Sequence, residues 1–355
     1  MGEKIPYWTV GGVYEEDYAK KDIYWWTNGF WSGILWQLYH ATKKEFYLET
    51  ARKNEDLLDQ ALHGFIGLHH DTGFMWLHSA VADYRLTGSE EAKVRGLNAA
   101  SVLAGRYNPN GKFIRAWNPE CVEEGEDCTG WIIVDSMMNI PLLYWAGQIT
   151  GDPRFQQIAV NHADTVASYL VREDGSCGHI ACINPDTGEL EHILGGQGYS
   201  ETSSWSRGQS WILYGFALSY RHTKNKKYLD IAKKTAHYFI SNIALTGYIP
   251  LCDFRQPASA AYTDTSAGLC AACGLLEIAE HVDECEKNLY RTYAELILKH
   301  TAETCCDWNP DTDGIVQNCK VAFHNDRREQ TDLIYADYFL TEAVLRLLGK
   351  DFLIW

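Results

Sequence analysis

The chain has 355 residues, of which 46% are hydrophobic and 13% aromatic, so it can bury a large core. Its formal net charge of −16 argues against a nucleic-acid partner, because phosphate binding needs clustered Lys and Arg. The first residues carry no apolar signal segment and no apolar run is long enough to span a bilayer, so we predict a cytoplasmic protein without a membrane partner. Eleven cysteines, an odd number, fit reduced thiols in that compartment.

A helical hairpin pattern recurs six times, with units that average about 60 residues. Each unit opens with polar and aromatic residues and continues as an apolar stretch. The six openings are residues 26–31, 69–74, 130–135, 202–207, 262–267 and 331–336. Because a helix that is apolar on every side is surrounded by protein, these stretches predict six inner helices.

The stretches between the inner helices have one polar face and predict an outer ring. They cover residues 45–62, 90–106, 153–170, 226–243 and 286–300. Two concentric rings predict an all-α fold, a single (α/α)6-barrel catalytic domain over residues 1–355, although residues 1–24 are too short and irregular for a clear sixth outer helix. Strand patterns are limited to a hairpin of residues 179–183 and 191–193.

Polar and aromatic residues concentrate where the inner helices begin. If these helices are parallel, their N-terminal ends meet at one mouth of the barrel. The tryptophans expected at or near that mouth are Trp25, Trp26, Trp31, Trp117, Trp205 and Trp211. An aromatic pocket with a few polar groups is typical of sugar sites, although the same rings could simply fill the core.

Acidic residues recur at related positions, Asp71, Asp135 and Asp264, with Asp332 as a possible fourth. Two carboxylates in one pocket can divide acid and base roles when their surroundings differ. The apolar neighbours of Asp135 should raise its pKa, which suits a general acid, whereas Asp71 follows two histidines and should stay ionised. Each Asp could instead cap a helix, and spacing alone does not choose the pair.

A metal site at His69, His70 and Asp71 is the weaker interpretation of that segment. No second cluster with ligand spacing accompanies it, so we predict neither a metal nor a cofactor.

Three stretches of the chain resemble glycoside hydrolase family 88, the unsaturated glucuronyl hydrolases. They are residues 69–76, 134–139, and 195–199 with 204–209, and the likeness runs in order from about Ile5 to Trp355. The resemblance implies an (α/α)6 barrel that acts on lyase-generated oligosaccharides, of glycosaminoglycan type, with a 4,5-unsaturated uronic acid at the non-reducing end. It also implies that a general acid protonates C4, positive charge develops at C5, water adds there, and the resulting hemiketal opens to release the aglycone sugar.

The resemblance also assigns roles to residues of this chain. Asp135 matches the acid/base, and Asp71 matches a carboxylate that holds the sugar and stabilises charge. The positions that match sugar contacts are Trp26, His70, Trp117, His179, Gln197, Arg207 and Trp211. We expect Arg207 to bind the uronate carboxylate, because a guanidinium fork suits it, and Trp211 to share its helix face and line the same pocket.

The aglycone sugar is left open by the sequence. Family members that prefer sulfated disaccharides carry a Ser/Lys motif near the C-terminus, and the matching residues 324–331 lack it. Either Arg327 and Arg328 replace that motif, or the aglycone is unsulfated. The oligomeric state also stays open.

Three other functions compete with this interpretation. Family 105, the unsaturated rhamnogalacturonyl hydrolases, carries out the same chemistry on pectin fragments, but residues 69–74 favour family 88. A non-catalytic sugar-binding protein on the same barrel is opposed by the presence of both Asp71 and Asp135. A sugar epimerase of similar fold would be expected to use histidines as bases.

Overall fold

The computed structural model describes residues 2, 4–325 and 331–355, and most of these residues are helical. The helices are α1 (Tyr18–Lys21), α2 (Phe30–Thr42), α3 (Glu45–Gly64), α4 (Thr72–Trp76), α5 (Ala82–Thr87), α6 (Glu90–Ala104), α7 (Pro141–Thr150), α8 (Pro153–Tyr169), α9 (Ser206–Thr223), α10 (Lys226–Ile243), α11 (Thr265–Ala279), α12 (Glu284–Thr304) and α13 (Ile334–Leu347). A π-helical turn joins α4 to α5. None of the described helices has both the length and the apolar character needed to cross a bilayer.

Six of these segments form a closed inner ring. In order they are α2, α4 with α5, α7, α9, α11 and α13, and α13 packs back against α2. The helices α3, α6, α8, α10 and α12 each pack on the outside of the inner helix before them. The predicted (α/α)6 barrel is therefore confirmed, and its N-terminal segment contributes only the short α1.

Five short strands lie beside the barrel: β1 (Tyr107–Asn108), β2 (Phe113–Ile114), β3 (Trp131–Ile133), β4 (Ile180–Ile183) and β5 (Leu190–Leu194). These strands form two antiparallel sheets. In one sheet β1 pairs with β2, and in the other the strand order is β3-β4-β5. The predicted hairpin is confirmed as β4 and β5.

Residues 130–135 differ from the prediction that an inner helix opens there. Ile132 and Ile133 are β-branched and pair with β4, so the stretch is an extended strand. A 3-10 turn, Val134–Met138, follows, and the helix itself begins at Pro141. Proline is tolerated there because the first helical residue has no N–H partner to lose.

Aromatic side chains fill the axis of the barrel below the mouth. Phe74 packs against Trp26 at a centroid distance of 5.4 Å and against Trp211 at 5.3 Å. Trp211 continues to Phe339, which stacks on Trp355. The barrel is a packed core beneath its mouth.

Candidate active site

A cavity of about 390 Å³ opens at the mouth of the barrel, where the inner helices begin. Its volume lies in the range of small-molecule sites. Its lining residues are Tyr7, Asp22, Trp25, Trp26, His69, Asp71, Trp117, Glu120, Cys121, Asp135, Gln197, Trp205, Arg207 and Val321. The cavity deepens from an exposed rim toward buried residues near the barrel axis.

Asp71 lies at the buried end of the cavity, immediately before α4. Its Oδ1 accepts a hydrogen bond from the Asn139 amide at 2.9 Å. Its Oδ2 lies 3.2 Å from Nδ1 of His69 and 3.4 Å from Nε2 of His70. Burial alone would raise the pKa of Asp71, but the two imidazoles and the amide outweigh burial and hold that pKa below its ordinary value. Asp71 is therefore an anion at neutral pH.

Asp135 faces the cavity from the 3-10 turn, whereas the apolar residues beside it turn into the core. Among the described residues its buried Oδ1 has no hydrogen-bond partner, and Nε2 of His179 lies 3.7 Å away. Nδ1 of His179 accepts the backbone N–H of Gln197 at 2.9 Å, so the neutral ring carries its proton on Nε2, facing Asp135. The 3.7 Å separation exceeds a hydrogen bond, but catalytic contacts often tighten once substrate is bound.

Asn139 connects the segments that carry the two carboxylates. Its Nδ2 donates both to Asp71 and, at 3.2 Å, to the backbone carbonyl of Asp135, while its Oδ1 accepts the N–H of Phe74 at 2.7 Å. Gly73 permits this approach, because a Cβ there would lie 2.3 Å from Cα of Asn139. The start of α4 and the 3-10 turn are thus held at a fixed separation.

Arg207 is buried at the start of α9 and forms an ion pair with Asp264. Its guanidinium also donates to the carbonyls of Lys320 and Val321, at 2.7 and 2.6 Å. It lies 4.4 Å from the ring centroid of Trp205, which is a cation–π contact. Most of the guanidinium is therefore committed to protein groups, and its Nε is buried without a protein partner among the described residues.

The structure separates the nine predicted site residues into three groups. Six line the cavity: Trp26, Asp71, Trp117, Asp135, Gln197 and Arg207. His70 and His179 are buried behind Asp71 and Asp135 and contact those carboxylates. Trp211 differs from the expectation that it lines the pocket with Arg207: it lies one helical turn deeper, fully buried between Phe74 and Phe339.

Two further predictions concern charged groups near the site. Arg327 and Arg328 lie outside the described residues. The ligand-type atoms of His69, His70 and Asp71 lie within 4.8 Å of one another, a spacing that suits a metal as well as a carboxylate bound by two imidazoles. The absence of a metal stays a prediction.

Comparison with known proteins identifies the family. The model of Glycosyl Hydrolase Family 88 matches residues 8–244, two thirds of the chain. This chain belongs to Glycosyl Hydrolase Family 88. The predicted family is therefore confirmed, and the chain is a glycoside hydrolase.

Relatives of this family 88 enzyme match over nearly its whole length. An unsaturated glucuronyl hydrolase from Bacillus sp. (strain GL1) is 36% identical, over 98% of this chain and 92% of its own. An unsaturated chondroitin disaccharide hydrolase from Streptococcus pneumoniae is 32% identical, over 93% of this chain and 83% of its own. The crystal structure of the unsaturated glucuronyl hydrolase from Bacillus sp. GL1 has a TM-score of 0.91 at 34% identity, covering 98% of this chain and 91% of that one.

Besides Cys121 and Val321, four residues at this site were not predicted from the sequence. Asn139 lies four residues after Asp135, a spacing that could have indicated it. Tyr7 and Asp22 come from the N-terminal segment, whose irregular pattern gave no sign of reaching the mouth. Glu120 lies on a loop between β2 and β3, and nothing in its local sequence marks it.

Proposed function

We propose that this enzyme is an unsaturated glucuronyl hydrolase, which releases the 4,5-unsaturated uronic acid from the non-reducing end of lyase-generated glycosaminoglycan oligosaccharides. The names of its relatives support this substrate class. The observation that carries the proposal is a pair of carboxylates in one aromatic-lined cavity with unlike surroundings. Asp71 is held as an anion, whereas Asp135 lines the cavity and its buried Oδ1 has no hydrogen-bond partner among the described residues.

This difference divides the chemical roles between the two residues. The protonated Asp135 delivers its proton to C4 of the unsaturated sugar, and the resulting positive charge at C5 is stabilised by the anionic Asp71. Water then adds at C5 and returns a proton to Asp135, which restores the acid. The hemiketal formed in this way opens to a ketone at C5 and leaves C1 as a hemiacetal. That hemiacetal collapses to an aldehyde and releases the aglycone with its own hydroxyl group.

The remaining lining residues suit a sugar in this orientation. Trp26 and Trp117 offer apolar faces for the ring. Arg207 lines the cavity and supplies a positive charge for the uronate carboxylate. Proton transfer and charge stabilisation are supplied by the two carboxylates, so we propose catalysis without a cofactor.

We further propose that residues 1–355 act as one catalytic domain in the cytoplasm, without a nucleic-acid or membrane partner. All eleven cysteines are free thiols, which suits a reducing compartment. The acidic net charge of −16 is unfavourable for nucleic acid.

The proposal is tested by incubating the enzyme with unsaturated disaccharides from glycosaminoglycan lyases. Hydration of C4=C5 removes the conjugated double bond, so ultraviolet absorbance should fall while the aglycone sugar is released. An unsaturated rhamnogalacturonyl disaccharide serves as the comparison substrate. Turnover of that substrate alone would contradict the proposed class and favour the family 105 type of activity.

A further inference from the structure

The rim of the cavity carries two acidic side chains that take no part in the chemistry above. Asp22 follows α1 and Glu120 lies on the loop after β2, and both are exposed. Within the described part of the chain, neither carboxylate is in an ion pair. The base next to Asp22, Lys21, pairs with Glu16 instead.

Arg207, which also lines the cavity, does not offset the negative charge of Asp22 and Glu120. Arg207 is buried and its charge is already compensated by Asp264. Among the described residues that line the cavity, the exposed charged side chains are therefore the two acids of the rim, and Asp71 and Asp135 lie deeper.

The depth of the cavity determines which part of the substrate meets this rim. The unsaturated sugar is the terminal residue of its chain, and it must reach Asp71 and Asp135 near the floor. The sugar linked to it then extends toward solvent and passes the exposed Asp22 and Glu120. Each carboxylate repels an anionic substituent on that sugar and attracts a cationic one.

We infer that Asp22 and Glu120 select the aglycone by its charge, favouring a sugar with a free amine over a neutral N-acetylated sugar and disfavouring a sulfated one. This inference rests on the proposed function. Its electrostatic origin makes it dependent on salt, because exposed charges about 10 Å apart are largely screened at 0.1 M ionic strength.

The experiment compares three unsaturated disaccharides that share one backbone, with a free amine, an N-acetyl group, or an N-acetyl group and a 6-O-sulfate. At low salt and about pH 6, where the amine is protonated, kcat/KM should fall in that order, with the sulfated substrate at least tenfold below the N-acetylated one. In the double variant Asp22→Asn with Glu120→Gln, the ratio of kcat/KM between the amine and sulfated substrates should fall at least fivefold. Asn at position 22 keeps the oxygen that accepts the N–H of Tyr24 at 3.0 Å, so the local turn is retained.

The matched control is Asp230→Asn with Glu303→Gln, which removes two charges from the outer helices α10 and α12 and should leave the ratio unchanged. Added salt should bring the wild-type ratio of kcat/KM between the amine and sulfated substrates closer to one. Equal or faster turnover of the sulfated substrate, or an unchanged ratio in the rim variant, would overturn the inference while the proposed function stands. No turnover of any of the three would overturn the proposed function itself.

Discussion

Asp71 and Asp135 are carboxylates of one cavity, and their different roles follow from the groups that touch them. Asp71 accepts a hydrogen bond from the Asn139 amide and lies beside the imidazoles of His69 and His70. These contacts favour the charged form of Asp71. Among the described residues Oδ1 of Asp135 has no hydrogen-bond partner, and Nε2 of His179 lies 3.7 Å away. The two carboxylates therefore differ in the hydrogen bonds that hold them.

Asp135→Asn should abolish turnover while substrate binding is retained, because an amide keeps the shape but cannot deliver a proton. Losing one general acid/base costs about 10²–10⁴-fold in rate, and more where one residue serves two steps. The measurement is kcat from the absorbance assay, together with substrate affinity by calorimetry. Activity within a few-fold of the wild type would refute the assignment of Asp135.

Arg207→Lys should raise KM and also lower the melting temperature. Stability is affected because Arg207 serves Asp264 and two backbone carbonyls at once. One ammonium cannot reach all three, and each buried group left unpaired costs about 1–3 kcal/mol. Thermal unfolding and KM should be measured on the same preparation. A lower melting temperature with unchanged KM would make Arg207 a structural residue only.

At the scale of elements, the 3-10 turn that carries Asp135 is held from the outer ring. Nδ1 of His162 on α8 accepts the N–H of Ile114 at 2.9 Å, so its Nε2 carries the proton and donates to Oγ of Ser136 at 2.6 Å. Ser136 in turn donates to the carbonyl of Ile133 at 2.6 Å. All of these groups are buried. This chain of hydrogen bonds fixes the residue next to Asp135.

Ser136→Ala should therefore lower kcat about tenfold while KM changes little, since a small displacement of a catalytic group is costly. The expected loss of stability is about 1–3 kcal/mol, because Nε2 of His162 loses its acceptor. Ser79→Ala is the control, as it removes another buried hydroxyl that donates to a helix carbonyl, at 2.7 Å. If both variants lose stability and neither loses kcat, Ser136 does not position Asp135.

The sequence predicted elements well where one local pattern determines them. The outer helix α10 has the predicted bounds, and α3 and α8 differ from theirs by one or two residues, because an amphipathic period is a local property. The strand β3 was missed because its apolar residues fit a buried helix as well as a strand, and pairing with β4 decides between them.

Side-chain depth was less predictable than helix position. Arg207 and Trp211 share a helix face, but one turn of helix separates a residue at the cavity from one in the core. Asp22 and Glu120 reach the rim from segments distant in sequence, so only the assembled barrel places them together.

For the molecule as a whole, buried neutral histidines should control stability in acid. Burial lowers the pKa of His70 to about 4 and those of His78 and His162 to about 3. An unfolded chain protonates its histidines below about pH 6.5. Between these limits the unfolded state binds more protons than the folded state, so the free energy of unfolding falls as the pH decreases.

Asp337 opposes this trend. Burial raises its pKa to about 7, although it accepts hydrogen bonds from Val316 and Ile315 and from the Tyr14 hydroxyl. Between about pH 4 and 7 the folded state therefore holds one proton that the unfolded state has released, and this contribution to stability grows as the pH decreases. Burial also lowers the pKa of His222 to about 3 and raises the pKa of Glu55 to about 8, which adds one group on each side. Four histidines against two carboxyls leave a net excess of about two protons bound to the unfolded chain near pH 5.

We therefore expect the free energy of unfolding to fall by up to about 3 kcal/mol per pH unit between pH 6 and 5. Asp337→Asn should steepen this slope by about 1.4 kcal/mol per pH unit, because it removes one opposing proton while Asn can still accept from Val316 and donate to Tyr14. His63→Gln, which removes an exposed imidazole, is the control. Urea unfolding at half-unit steps from pH 5 to 7 measures the slope, and a flat profile would show that these histidines are not kept neutral by the fold.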